Sequence, residues 1–454
     1  MSNLAISNAK SRVTKIHLIK KGKLAENKAV SKMALSWAKA NDFDGRAKQL
    51  LTVPNENGDL QSVLFGVGDA TNPFVTGLLS SQLPAGNYQF AENPLDPDLA
   101  TLGWVLGSYK FSSYKNDTGK IANLVPGKDV DRKKLQREAE ATILARDLIN
   151  TPANDMGPAE LEAAVRKIGK QYAASVSVTK GDSLLKKNFP MIHAVGRASS
   201  EAPRLIDLKW GNQKHPKVTL VGKGVTFDTG GLNIKPGAGM LLMKKDMGGA
   251  ANVIALAKMI MEAKLPVRLR VLVPAVENAI SGNAFRPGDI LATRKGITVE
   301  IGNTDAEGRL VLGDALTLAD QEKPDLLIDM ATLTGSARVA LGPDLPPFYT
   351  DDETFADHLA QAAETQHDPL WRMPLWKPYN TLLGSKVADV NHVVQNSFAG
   401  SITAALFLSR FVEKTPTWVH LDIYGWVPTA KPHAPTGGEA QGIRALYKVI
   451  SERF

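Results

Sequence analysis

Polar and apolar residues alternate from Thr14 to Ile19 (Thr14, Lys15, Ile16, His17, Leu18, Ile19), which predicts a strand with one buried face. Gln61 to Gly68 reads as a second strand closed by glycines, and Leu99 to Leu106 as a short helix or strand. Leu135, Ala139, Ile143, Leu144 and Leu148 then recur at helical spacing until Asn150-Thr151-Pro152 stops the run. Pro158 stands where a first helical turn tolerates proline. Beyond it, strand patterns at Val218–Gly222, Arg268–Ala275, Ile297–Ile301, Leu326–Ala331 and Trp418–Ile423 alternate with helical ones. The helical patterns lie at Gly249–Ala263, Leu310–Gln321, Ile402–Phe411 and Glu439–Ile450. Such alternation predicts an α/β fold with a mostly parallel central sheet covered on both faces. In such sheets, sites gather beyond the carboxyl ends of the strands.

These patterns divide the chain into a smaller N-terminal α/β domain (1–127), a linking helix (128–157) and a larger α/β domain (158–454). With 454 residues, 43% of them hydrophobic and 22% charged, the composition is that of a folded globular protein. No run approaches the roughly 18 apolar residues of a membrane helix, and the start lacks a signal core with a small-residue cleavage site. A cytoplasmic protein that does not enter the membrane is expected. With no cysteine, thiolate metal sites are excluded, so any metal is held by oxygen or nitrogen donors.

Charge changes this picture little. Residues 1–50 carry 11 Lys and Arg against 3 Asp and Glu, which accounts for the whole net charge of +8. A solvated surface is favoured there over nucleic-acid binding or an organelle transit sequence.

The candidate chemistry lies on glycine-flanked turns. The strand at Val218–Gly222 runs into Lys223-Gly224-Val225-Thr226-Phe227-Asp228-Thr229-Gly230-Gly231, and Lys235 follows. Met243-Lys244-Lys245-Asp246 places an acid just ahead of a helix, and Asn303-Thr304-Asp305-Ala306-Glu307-Gly308-Arg309-Leu310 offers two more. Each acid alone reads as a cap or a solvated loop residue. Four together repel one another unless cations neutralise them, which a dinuclear divalent site does.

Other motifs fit less well. Gly222-Lys223-Gly224 lacks phosphate-loop spacing. Asp117-Thr118-Gly119 and Asp228-Thr229-Gly230 form a pair of the aspartic-protease type, but the first copy follows no apolar strand and reads as a surface turn. Asn303 to Asp314 partly matches a calcium loop, with Asp in place of the closing Glu. None of the eight histidines has metal-ligand spacing, with His392 and His420 the two to watch.

Val221–Asp228, Lys235-Pro236, Met243–Ala250 and above all Asn303–Leu310 resemble the signatures of the leucyl (cytosol) aminopeptidase family. Gly282–Asp289, Ala331–Gly335 and Asn150–Pro152 extend the resemblance over about residues 145–454. It implies a metal-dependent aminopeptidase acting through a hydroxide that bridges two divalent cations: zinc, manganese or magnesium. Asp228 and Glu307 would bridge them, Asp305 would complete one site, and Lys223 with Asp246 the other.

The resemblance further implies catalytic roles for Lys235, polarising the scissile carbonyl, and for Arg309, holding a bicarbonate that shuttles the proton. Substrate contacts are implied for Met243, Asn303, Thr332, Leu333 and Gly335, with peptides bearing a free N-terminus as substrates and a homohexamer as the assembly. Leu241-Leu242 stand where many relatives carry an acid after the methionine, and Tyr424–Gly438 is richer in aromatics and prolines. A preference for leucine is therefore not carried over. A different two-metal hydrolase, such as a phosphoesterase, uses the same kind of ligand set and stays open at this point.

Overall fold

The computed structural model describes residues 4–9, 12–115, 119 and 121–454, so Asp117 and Thr118 of the N-terminal Asp-Thr-Gly copy lie outside the described residues. The chain divides into two compact units, Met1–Ile143 with Thr429–Thr436, and Leu144–Pro428 with Gly437–Phe454. The helix read within 128–157 spans Arg132–Asn150, and the division falls inside it.

The first unit is built on β1 (Val13–Lys20), β2 (Leu50–Pro54), β3 (Leu60–Gly68), β4 (Gly86–Phe90) and β5 (Ala122–Leu124), in sheet order β2-β3-β1-β4-β5. β1 pairs in parallel with both β3 and β4, which makes it a central strand. Both of its faces are therefore covered, where the alternation predicts one. Ile16 and Leu18 pack with Phe65, Tyr88 and Trp104, whereas Ile19 packs with Ala34, Ala38 and Leu64. His17 is buried among them. The ambiguous segment at Leu99 is a helix, Pro97–Gly107, because Asp96 caps it by accepting from Leu99 N at 2.9 Å and proline sits in its first turn.

The second unit holds β6 (Ser175–Lys180), β7 (Arg204–Trp210), β8 (Lys217–Gly222), β9 (Gly224–Asp228), β10 (Arg268–Asn278), β11 (Ile290–Ala292) and β12 (Thr298–Glu300). It continues with β13 (Leu326–Ala331), β14 (Pro347–Tyr349), β15 (Trp371–Arg372), β16 (Val390–Asn391) and β17 (Trp418–Asp422). Its main sheet runs β15-β14-β17-β13-β8-β10-β7-β6, with β9 also against β10. The core of the sheet, β17-β13-β8-β10, is parallel throughout. β6, β7 and β14 add antiparallel pairings toward the edges.

Helix Gly248–Ala263 is buried from Gly248 through Met261, as a helix laid across a sheet must be. A buried cluster including Val221, Leu272, Leu310, Leu316, Leu327 and Phe407 joins the sheet to helices Gly308–Gln321 and Gly400–Ser409. The last helix begins at Ile443 rather than Glu439. Glu439 instead accepts from the Arg146 guanidinium at 2.8 and 3.0 Å, and Gln441 accepts from Tyr424 N and Gly425 N. Those tertiary contacts outcompete one more helical turn.

Candidate active site

Lys223 occupies the step between β8 and β9. Its N–H donates to Met330 O of β13 at 3.0 Å and its carbonyl accepts from Ala250 N, in the first turn of helix Gly248–Ala263, at 2.9 Å, so a neighbouring strand and a helix fix its backbone. Asp228 is the last residue of β9, opposite Asn278 at the end of β10. Asn278 Nδ2 and Gly230 N both donate to Asp228 Oδ1 at 2.8 Å. Gly230 has φ +88°, and a Cβ there would lie 2.4 Å from Asn233 O, so only glycine permits this turn.

Asp246 lies in the short turn Met243–Met247 that leads into helix Gly248–Ala263, and Thr332 Oγ1 donates to its Oδ1 at 2.8 Å. Asp305 lies in the turn Thr304–Ala306, and Glu307 stands at the N-cap position of helix Gly308–Gln321 without a side-chain capping bond. Thr304 ties the two acid-bearing loops together, donating to Gly230 O at 2.6 Å and accepting from Asn233 N at 2.8 Å.

These turns bring all five predicted ligands into one cluster. Carboxylate oxygens of Asp228, Asp305 and Glu307 lie within 4.8 Å of one another. Asp246 joins them through Lys223, whose ammonium is 2.7 Å from Asp246 Oδ2 and 3.0 Å from Glu307 Oε1. Gly308 makes room for it: a Cβ at that position would stand 2.4 Å from Lys223 Cε. Lys235 Nζ lies 2.9 Å from Asp228 Oδ2 and pairs also with Asp305 Oδ1. Lys223, Asp228, Asp246 and Glu307 are each at most 3% exposed.

Such crowding shifts every titration. Burial, then repulsion from neighbouring carboxylates, raises Glu307 to about 7 and Asp228 to about 6. Burial also raises Asp305. Burial acts against the charged forms of Asp246 and Lys223 too, but there the ion pairing wins: Asp246 is lowered and Lys223 is raised. Lys223 is thus an ammonium in this arrangement, where ligation needs a free amine. Lys235 is likewise raised, its carboxylate partners outweighing burial. The neighbouring Lys245, buried without such pairing, is lowered to about 8.

Arg309 is buried, and burial lowers it to about 10. Its Nη1 donates to His392 O at 2.6 Å, while its Nε has no hydrogen-bond partner. His392 lies behind Asn303, with Nε2 2.9 Å from Asn303 O; burial lowers it to about 3, so it is neutral and donates there. His420 pairs with Asp329 at 2.6 Å inside the sheet, outside the acid cluster.

Of the predicted substrate contacts, Thr332 touches the cluster directly, through Asp246 and through its carbonyl, which accepts from Lys223 Nζ at 3.2 Å. Leu333 N donates to Asp422 Oδ1 at 3.0 Å, and Gly335 opens helix Gly335–Leu341. Asn303 Oδ1 accepts from Asp305 N at 2.8 Å and so caps its own turn. Met243 starts the turn that carries Asp246. Asp314, the twelfth position of the calcium-like loop, turns away and accepts from Met191 N and Arg294 N at 2.8 Å. Asn278 and Asp422 went unnoticed in the sequence. Their one signal is a polar side chain ending a strongly apolar strand.

Fold and site together define an α/β enzyme with a buried, acid-rich centre at the carboxyl ends of parallel strands. Residues 143–447 match the model of the cytosol aminopeptidase family, catalytic domain, and residues 15–126 that of the M17 aminopeptidase N-terminal domain. The chain belongs to the cytosol aminopeptidase family and is an aminopeptidase. It is similar to the cytosol aminopeptidase from Coxiella burnetii, with 46% identity and a TM-score of 0.94 covering 98% of both chains. The bottromycin maturation enzyme BotP in complex with Mn is 30% identical, with a TM-score of 0.88 covering 97% of this chain and 99% of that one. A probable cytosol aminopeptidase of Clostridium perfringens is 39% identical over 370 residues, 77% of this chain and 75% of that one.

Proposed function

We propose that the enzyme removes N-terminal amino acids from peptides with the help of two divalent cations held by Lys223, Asp228, Asp246, Asp305 and Glu307. The observation that carries this reading is the state of the acid oxygens. Asp246 Oδ2, Asp305 Oδ1 and Glu307 Oε1 are buried and, outside their ion pairs with the two lysines, have no hydrogen-bond partner. Buried acceptors of this kind are costly unless positive charge meets them. Oxygen donors and one amine suit manganese, zinc or magnesium, and the Mn complex of BotP fits the same choice.

When bound, such cations supply Lewis acidity and make a water nucleophile available at neutral pH. The chain's residues do the rest. Asp228 and Glu307 would be shared by the two cations, with Asp305 completing one site and Lys223 with Asp246 the other, a reading supported by their close grouping. The substrate's free α-amine enters the same acids, which selects chain ends. Lys235, the less buried of the two lysines, is free to turn from Asp228 and Asp305 toward the scissile carbonyl and stabilise the developing oxyanion. Arg309, with its unmatched Nε, holds an anion such as bicarbonate that passes the proton on. Met243, Asn303, Thr332, Leu333 and Gly335 line the substrate, and the working assembly is a cytosolic homohexamer.

Chelated protein should lose activity on amino-acid anilides and regain it with manganese or zinc. The same substrates N-acetylated should resist cleavage. Equal cleavage of acetylated and free substrates would sink the reading.

A further inference from the structure

Tyr424 stands beside the acid cluster. Its neighbour Gly425 packs against Thr332, where an added Cβ would meet Thr332 Cγ2 at 3.3 Å, and Thr332 in turn bonds Asp246. Two cations meet on the Tyr424 ring. Lys245 Nζ, one residue before Asp246, lies 4.6 Å from its centroid, and the Arg338 guanidinium lies 5.1 Å from it. Arg338 Nη1 also donates to the Tyr424 hydroxyl at 3.2 Å, which leaves the phenolic hydrogen free to donate.

Neither Lys245 nor Arg338 forms an ion pair among the described residues, although Lys245 is only 6% exposed. Two like charges share one ring, one of them buried, and neither has a carboxylate within ion-pairing distance among the described residues. Cation–π contact offsets only part of that cost. The missing partner is an anion small enough to reach both nitrogens and the phenol.

We propose that Tyr424, Lys245 and Arg338 form the subsite for the side chain of the substrate's first residue, and that it takes a carboxylate. The enzyme then prefers N-terminal glutamate or aspartate to their uncharged counterparts. This rests on the aminopeptidase site described above. With the α-amine held among the acids beside Asp246, the first side chain is the part of the substrate nearest Lys245.

A second substrate carboxylate, the free C-terminus of a short peptide, has the same chemistry, and the test separates the two. The metal-loaded full chain is assayed for kcat/KM on Glu-, Gln- and Leu-anilides, and on Leu-Gly against Leu-Gly-amide. Glu should exceed Gln by about tenfold, as a charge-assisted hydrogen bond from the buried Lys245 gives. Lys245→Met and Arg338→Met should each move the Glu-to-Gln ratio toward one, chiefly through KM.

A wild-type ratio at or below one overturns the proposal without any variant. Discrimination between Leu-Gly and its amide, with none between Glu and Gln, overturns it by assigning the cations to the far end of the substrate. Failure to cleave any of the free-amine substrates would remove the underlying site reading as well.

Discussion

If Lys223 becomes a metal ligand, its proton must leave, and the structure sets how many protons go with it. Metal binding leaves Glu307 and Asp228 ionised and Lys223 neutral. With Glu307 at about 7, Asp228 at about 6 and Lys223 well above the working range, the free site at pH 7 carries about half a proton on Glu307, about a tenth on Asp228 and one on Lys223. These three groups would therefore release about 1.6 protons at pH 7, about 2.4 at pH 6 and about 1.1 at pH 8, and Asp305, also raised, adds to the release toward acid pH. The sign follows: groups that bind protons in the free site and lose them in the loaded one make affinity rise with pH. Integrated, these values raise metal affinity about a hundredfold from pH 6 to 7 and about twentyfold from 7 to 8. Calorimetric titration of metal-free protein with Mn²⁺, in buffers of differing ionisation enthalpy, gives the proton count from the slope of observed heat. At pH 8 these two carboxylates contribute only about a tenth of a proton, so the release there comes from Lys223 and from any metal-bound water that ionises. A release below about half a proton at pH 8 would show that Lys223 keeps its charge and is no ligand.

Gly308→Ala should lower kcat/KM by about a hundredfold as the amine is displaced, and lower the melting temperature too, since the clash falls on the buried, ion-paired end of Lys223. Steady-state kinetics beside a thermal melt decide it, and activity within about threefold of wild type would refute the packing argument. Arg146→Met leaves the Glu439 carboxylate, 12% exposed, without its partner and should cost about 3–5 kcal/mol in denaturant unfolding. The double change Arg146→Met with Glu439→Gln should recover most of that loss, and a double variant no more stable than the single one would show that the pair carries little coupling.

The catalytic half of the fold was legible because its strands are buried on both faces and bounded by glycines. Val218–Gly222, Leu326–Ala331 and Trp418–Ile423 were read to within a residue or so of β8, β13 and β17. β7 and β6 were not, since Arg204–Trp210 mixes charged and apolar residues and Ser175–Lys180 is a half-exposed edge. β9 escaped for a different reason: Gly224–Asp228 pairs with β10 only because the chain steps sideways at Lys223, which no periodicity records. The five clustered residues were found through dense motifs. Asn278 and Asp422 were not, because their roles depend on hydrogen bonds to residues distant in the chain, Asp228 and Thr304 for the first and Ser401, Leu333 and Thr334 for the second.

Lys223 and Lys235 begin from the same chemistry, and burial separates their fates. Lys223 is 4% exposed in its side chain and wedged between Asp246 and Glu307, with Gly308 at its flank and Thr332 O as a third acceptor. Its nitrogen has little room to move, so on the proposed reading it would serve as a donor atom once its proton is lost. Lys235 is 15% exposed and sits on a loop held by backbone bonds to Thr229, facing Asp228 and the more open Asp305. Were a cation held by those two acids, the more open position of Lys235 would let its charged end move away intact. On the proposed reading, the difference in burial would keep Lys223 as a donor atom and leave Lys235, still charged, for the developing oxyanion. Exchanging their burial would exchange their roles.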